Sequence, residues 1–80
     1  METFNNQLTD KEKEHCAVTT MRRMLEKYSE KEKIPFEQAF FLFTTSNAYK
    51  ALFDYETGIW SEGPDYLMDF FETVLDANRN

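Results

Sequence analysis

Two groups of side chains in this sequence carry reactive chemistry: a histidine beside a cysteine, and a run of carboxylates toward the C-terminus. His15 and Cys16 are the ingredients of a thiolate nucleophile served by an imidazole base. On a helix, however, neighbouring side chains point about 100° apart, so the two do not face each other. Such a pair needs hydrogen-bond reach and a third group to orient the base. Cys16 therefore reads as a small, partly buried residue, as free cysteines usually are. Glu12 and His15 form a Glu-x-x-His, the spacing of di-iron helical bundles. Those sites need two such motifs and two further glutamates, and a chain with one histidine supplies a single copy. One His and one Cys also fall short of a structural zinc set. No Gly-rich phosphate loop is present. The sequence predicts a protein that is not an enzyme and carries no cofactor or metal.

The carboxylates are more informative. From Ala51 to Asn80 there are seven acids, Asp54, Glu56, Glu62, Asp65, Asp69, Glu72 and Asp76, against one base, Arg79. Residues 1–50 hold eight of each sign and cancel, so the net charge of −6 lies wholly in the last thirty residues. A field of that sign repels nucleic acid and favours a basic partner. Asp65, Asp69, Glu72 and Asp76 recur at i, i+4, i+7 and i+11, which makes a narrow acidic stripe on a helix. Like charges so spaced repel by about 0.2–0.5 kcal/mol per pair, and Asp76 sits at the end the helix dipole disfavours. Tyr55, Trp60 and Tyr66 lie near this charge in sequence, and Tyr and Trp are frequent interface anchors. The stripe has two readings, an ordinary solvated helix face with the rings in the core, or a docking surface whose partner-binding set is Asp65, Asp69, Glu72, Asp76, Tyr66 and Trp60. The bases Lys11, Lys13, Arg22, Arg23, Lys27, Lys31 and Lys33 are interleaved with glutamates, a salt-bridge-laced surface rather than a phosphate track.

Four helical patterns must position these residues. Eighty residues make one domain, 1–80, with residues 1–8 expected to be flexible. So short a chain buries only about 60% of its unfolded surface. A lone cysteine offers no disulfide, so thirteen Phe, Tyr and Trp rings must carry the core. Two Gly and two Pro leave too few turns for an all-β chain. Thr9 and Glu12 fit a capping box. Behind it, Ala17, Val18, Met21, Met24, Leu25 and Tyr28 form a stripe of 3.6-residue period. Ser29–Lys33 reads as a frayed end and connector.

Pro35 suits the first turn of a second helix. There Phe36, Ala39, Phe40 and Phe43 share one face, and Phe41 and Leu42 lie on the other. A helix apolar on both sides is either central to a bundle or half of a dimer contact. Ser46 or Asn47 caps a short third helix with Ala48, Tyr49, Leu52 and Phe53 as its apolar positions, and Gly58 is expected to end it. Gly63-Pro64 opens the last helix, where Leu67, Phe70, Phe71, Val74 and Leu75 form the core face. The fold predicted is all-α, a small bundle of three to four short helices.

The Met24-Leu25-Glu26-Lys27-Tyr28 helix end, Ile34-Pro35 with Glu37 and Phe40, the Tyr49-Lys50-Ala51-Leu52 segment and the Ile59-to-Tyr66 step carry a resemblance. Over residues 21–75 the chain is similar to an uncharacterised family of short bacterial helical proteins, a domain of unknown function. Where that family's pattern has a Leu-His step before the last helix, this chain has Ile59-Trp60, so no role of a family histidine carries over. The resemblance implies a small helical fold and no catalytic residues, and it suggests a protein that partners a neighbouring gene product, as in toxin–antitoxin pairs.

These readings combine into one expectation: a non-enzymatic protein-interaction module whose acidic C-terminal helix docks on a basic partner, antitoxin-like or inhibitor-like. The alternative is a self-associating structural protein with Phe41, Leu42 and Phe71 as its dimer contact. Met1–Asp10 has neither the basic flank nor the apolar run of a signal peptide, and no stretch reaches the roughly 20 apolar residues of a membrane span. With one unpaired cysteine, these features predict a cytoplasmic location.

Overall fold

The computed structural model describes residues 9–79, and among them every regular element is helical. In order these are α1 (Asp10–Glu32), α2 (Phe36–Thr44), α3 (Asn47–Leu52) and α4 (Pro64–Arg79). Two 3-10 turns, Tyr55–Thr57 and Ile59–Ser61, join α3 to α4. The fold is the all-α bundle expected. The flexible start assigned to residues 1–8 lies outside the described residues.

α1 begins where its capping motif predicts. The Glu12 N–H donates to Thr9 Oγ1 at 3.1 Å, and the Thr9 N–H donates to Glu12 Oε1 at 2.9 Å. Two otherwise unpaired amides are thereby satisfied. The far end departs from expectation, because Ser29–Lys33 does not fray and the helix runs on through Glu32. Glu and Lys are good helix formers. Lys31 is also tied to Glu72 of α4, and Lys33 turns left-handed (φ 58°) so that its N–H and that of Ile34 both reach the Ser29 carbonyl. Ala17, Met24, Leu25 and Tyr28 are buried along α1, while Val18, assigned to the same stripe, is exposed at its edge.

Pro35 stands just before α2 as its cap, not inside it, and its carbonyl accepts from the Gln38 and Ala39 amides, each at 3.1 Å. The corner to α3 is closed by two hydroxyls. Ser46 Oγ, buried, donates to the Phe43 carbonyl at 2.7 Å, and Thr45 Oγ1 donates to that of Phe41 at 2.9 Å. α3 stops at Leu52, six residues before the glycine expected to end it. Gly58 instead lies between the two 3-10 turns with φ 77°, a conformation that costs a side-chain-bearing residue about 1–2 kcal/mol. Gly63-Pro64 opens α4 as predicted, with the Leu67 amide donating to the Gly63 carbonyl at 3.1 Å.

One chain of rings links all four helices. Tyr28 of α1 lies 5.0 Å from Phe71 of α4, which lies 5.1 Å from Phe43 of α2. Phe43 meets Tyr49 of α3 at 5.9 Å, and Tyr49 meets Phe53 at 5.1 Å. The tilted and edge-on angles suit the ring quadrupole, and such pairs add about 0.5–1.5 kcal/mol each beyond burial. Leu25, Leu52, Leu67 and Met24 fill the space around this chain with no exposure. Among the described residues no buried side-chain polar atom lacks a partner, and no helix is long and apolar enough to cross a membrane.

Candidate interaction surface

The acidic stripe of α4 divides once its neighbours are in place. Lys27 Nζ of α1 lies 2.9 Å from Asp65 Oδ1, and Lys31 Nζ hydrogen-bonds Glu72 Oε2. These two acids belong to the α1–α4 seam, where they stitch the long helix to the last one. The Glu72 carboxylate, by accepting that hydrogen bond, raises the Lys31 pKa above its ordinary 10.5. Exposed ion pairs of this kind add little to stability. Asp65 still keeps 80% of its side chain in solvent. Asp69 is exposed and, among the described residues, makes no ion pair.

Tyr66 is 51% exposed. With Asp69 and Thr73 it recurs at i, i+3 and i+7, which sets an aromatic ring among polar groups on the outer side of α4. From Pro64 through Asn78 the helix carries no Lys or Arg. The outward surface is therefore a phenol ring and carboxylates on a rigid, well-packed element.

Trp60, placed with the stripe from sequence, turns instead toward α1. Its Nε1–H donates to the Tyr55 carbonyl at 2.9 Å, and the Lys13 ammonium stands 5.9 Å from its ring centroid. Tyr55, half-buried, has its phenol pKa raised above 10.0, first by desolvation and then by the negative charges of Glu14 and Asp10.

The proposed dimer contact also separates. Phe71 has no exposed surface and packs on Tyr28 and Phe43, so it is a core residue and not a contact for a second copy. Leu42 is half-buried against the same core. Phe41 alone of the three is strongly exposed, at 65%. Phe36, at 40%, and Phe40, at 42%, are exposed as well, although spacing set them on one face with Ala39 and Phe43, which are fully buried. α2 is nine residues long, and it buries only Ala39 and Phe43 completely. Among the described residues no helix covers its outer side.

His15 and Cys16 are both exposed. Glu12 is committed to the capping box, which takes it from any Glu-x-x-His pairing. Among the described residues no three His, Cys, Asp or Glu gather as a metal-holding group. Sequence reasoning missed a cavity between α1 and the turn around Trp60. The available signal was His15, Thr19 and Arg23 at i, i+4 and i+8, one ridge of α1. Compared with protein-family models, curated proteins and solved structures, the chain matches none of them.

Proposed function

We propose that this protein is a non-enzymatic interaction module whose outer α4 face docks on a basic protein surface. One observation carries the reading: Tyr66 stands exposed beside Asp69, which makes no ion pair among the described residues, on a helix without a base from Pro64 through Asn78. Charge complementarity of this kind speeds encounter and selects among partners, while a partly exposed ring provides area to bury. An antitoxin-like or inhibitor-like role in the cytoplasm, and kinship with the short bacterial helical family, form part of the same proposal. The test is affinity capture from the native cell with the wild type and with Asp69→Lys combined with Tyr66→Ala. Glu72 is left intact because reversing it would break the seam with Lys31. Loss of a captured basic protein supports the reading, and undiminished capture rejects it.

Self-association through α2 is the second reading, favoured by Phe36, Phe40 and Phe41. At about 200 Å² per ring, their exposed fractions amount to on the order of 300 Å². A stable interface takes about 800 Å² from each partner, and a monomer's largest apolar patch is itself about 300–600 Å². The ridge falls short by more than half, which ranks this reading second. Light scattering that gives one monomeric mass across a hundredfold range of concentration would eliminate it.

A further inference from the structure

We propose that the cavity between α1 and the turn from Ile59 to Pro64 binds a small planar aromatic anion, a flat ring bearing a phosphate or a carboxylate. The cavity is an open groove, with His15, Arg23 and Ser61 exposed along it, and it measures about 410 Å³, within the usual span of roughly 300–1,000 Å³ for small-molecule sites. Its α1 wall is formed by His15, Thr19 and Arg23 on one ridge with Thr20 beside them, and Ser61 comes from the facing turn. A guanidinium, an imidazole and three hydroxyls thus line one small space. Arg23 presents the planar fork that matches carboxylate and phosphate oxygens, and the hydroxyls add donors.

Trp60 lines the same cavity. Its only donor is already given to the Tyr55 carbonyl, which fixes the ring and leaves it a surface for stacking. Lys13, which does not line the cavity, stands 5.9 Å from the ring centroid. The distinguishing feature is what the walls omit. The protein has fifteen acids and a net charge of −6, yet among the described residues no carboxylate lines this cavity. The cavity beside Tyr28 is walled by Glu32, Glu72 and Asp76, and the one beside Lys11 includes Glu14. In an acidic protein, a carboxylate-free cavity with a guanidinium and a held indole selects an anion joined to a ring. This site is separate from the outer face of α4 and does not depend on the function proposed for it.

The experiment is a ¹⁵N NMR titration of the full chain with AMP and, separately, 4-hydroxyphenylacetate, which distinguish the phosphate from the carboxylate form. Adenosine supplies a ring without the anion, and inorganic phosphate the anion without a ring. At least one of the two aromatic anions is expected to saturate, moving the Trp60 indole signal together with amides of residues 15–23 and 59–63. It is expected to bind at least about tenfold more tightly than either partial probe, the usual scale of a charge-assisted contact. Arg23→Gln is expected to weaken it by at least about tenfold. Arg22→Gln makes the same charge change at a neighbour that does not line the cavity, and is expected to stay within about twofold. No saturation by either anion up to about 10 mM would overturn the proposal, that being weaker than about 3 kcal/mol of binding. Equal loss in both arginine variants, or adenosine binding as tightly as AMP, would overturn it too.

Discussion

Replacing Phe71 by alanine cuts the ring chain at the point where α4 meets both α1 and α2. The side chain has no exposure and touches Tyr28 at 5.0 Å and Phe43 at 5.1 Å, so both its burial and two ring contacts are lost. Buried Phe→Ala changes cost about 3–5 kcal/mol. A domain of this length is stable by about 4–12 kcal/mol. The expected loss, about 4 kcal/mol, is therefore a large share of the whole. With a urea dependence of about 1 kcal/mol/M for so short a chain, the unfolding midpoint falls by about 4 M. Urea titration followed by circular dichroism at 222 nm measures this directly. Phe71→Leu, expected to cost about 1–2 kcal/mol, serves if the alanine variant is unfolded in water. Phe41→Ala is the control, because that ring lies mostly in solvent and its removal should change stability by less than about 0.5 kcal/mol. The reasoning is refuted if the leucine and alanine variants at Phe71 both cost under about 0.5 kcal/mol, or if Phe41→Ala costs as much as Phe71→Ala.

Thr9→Ala removes the hydroxyl that accepts from the Glu12 amide and should cost about 1 kcal/mol, read as faster hydrogen exchange confined to the first turn of α1. Gly58→Ala meets no atom within 4 Å at the new Cβ, so its cost is conformational alone, about 1–2 kcal/mol in urea unfolding. Gly58→Asn, whose side chain tolerates the left-handed region, should lose less. Lys31 and Tyr55 hold their protons more tightly folded than unfolded. The stability from these two groups is complete below about pH 10 and is lost as pH rises through their higher folded values. Thermal melts from pH 8 to 11.5 should therefore fall above about pH 10, and Lys31→Met should remove part of that slope.

Where a signal was local, it was legible from residue types alone. The Thr9–Glu12 box and the Gly63-Pro64 start depend on neighbours three or fewer positions away, and both are realised. The Ser29–Glu32 turn was not legible, because one of its ties, Lys31 to Glu72, spans 41 positions. Phe36, Ala39, Phe40 and Phe43 lie on one face by periodicity, yet α2 is short and its neighbours cover only Ala39 and Phe43 completely. Periodicity identifies a face and does not say how much of it another helix will cover. For the candidate surface, spacing correctly grouped four acids on α4. Only the fold shows that Asp65 and Glu72 face lysines of α1, while Tyr66 and Asp69 remain outward. Trp60 escaped because a ring in a 3-10 turn has no face that helical spacing can define.

Carboxyl footprinting of the protein with and without its captured partner bears most directly on the proposed role of α4. Carbodiimide-driven amidation should label Asp69 freely in the isolated chain and be suppressed in the complex, with oxidative labelling of Tyr66 falling alongside it. Full labelling of Asp69 and Tyr66 in the complex, with protection confined to Phe36, Phe40 and Phe41 of α2, would contradict the account and place the contact on the other exposed helix.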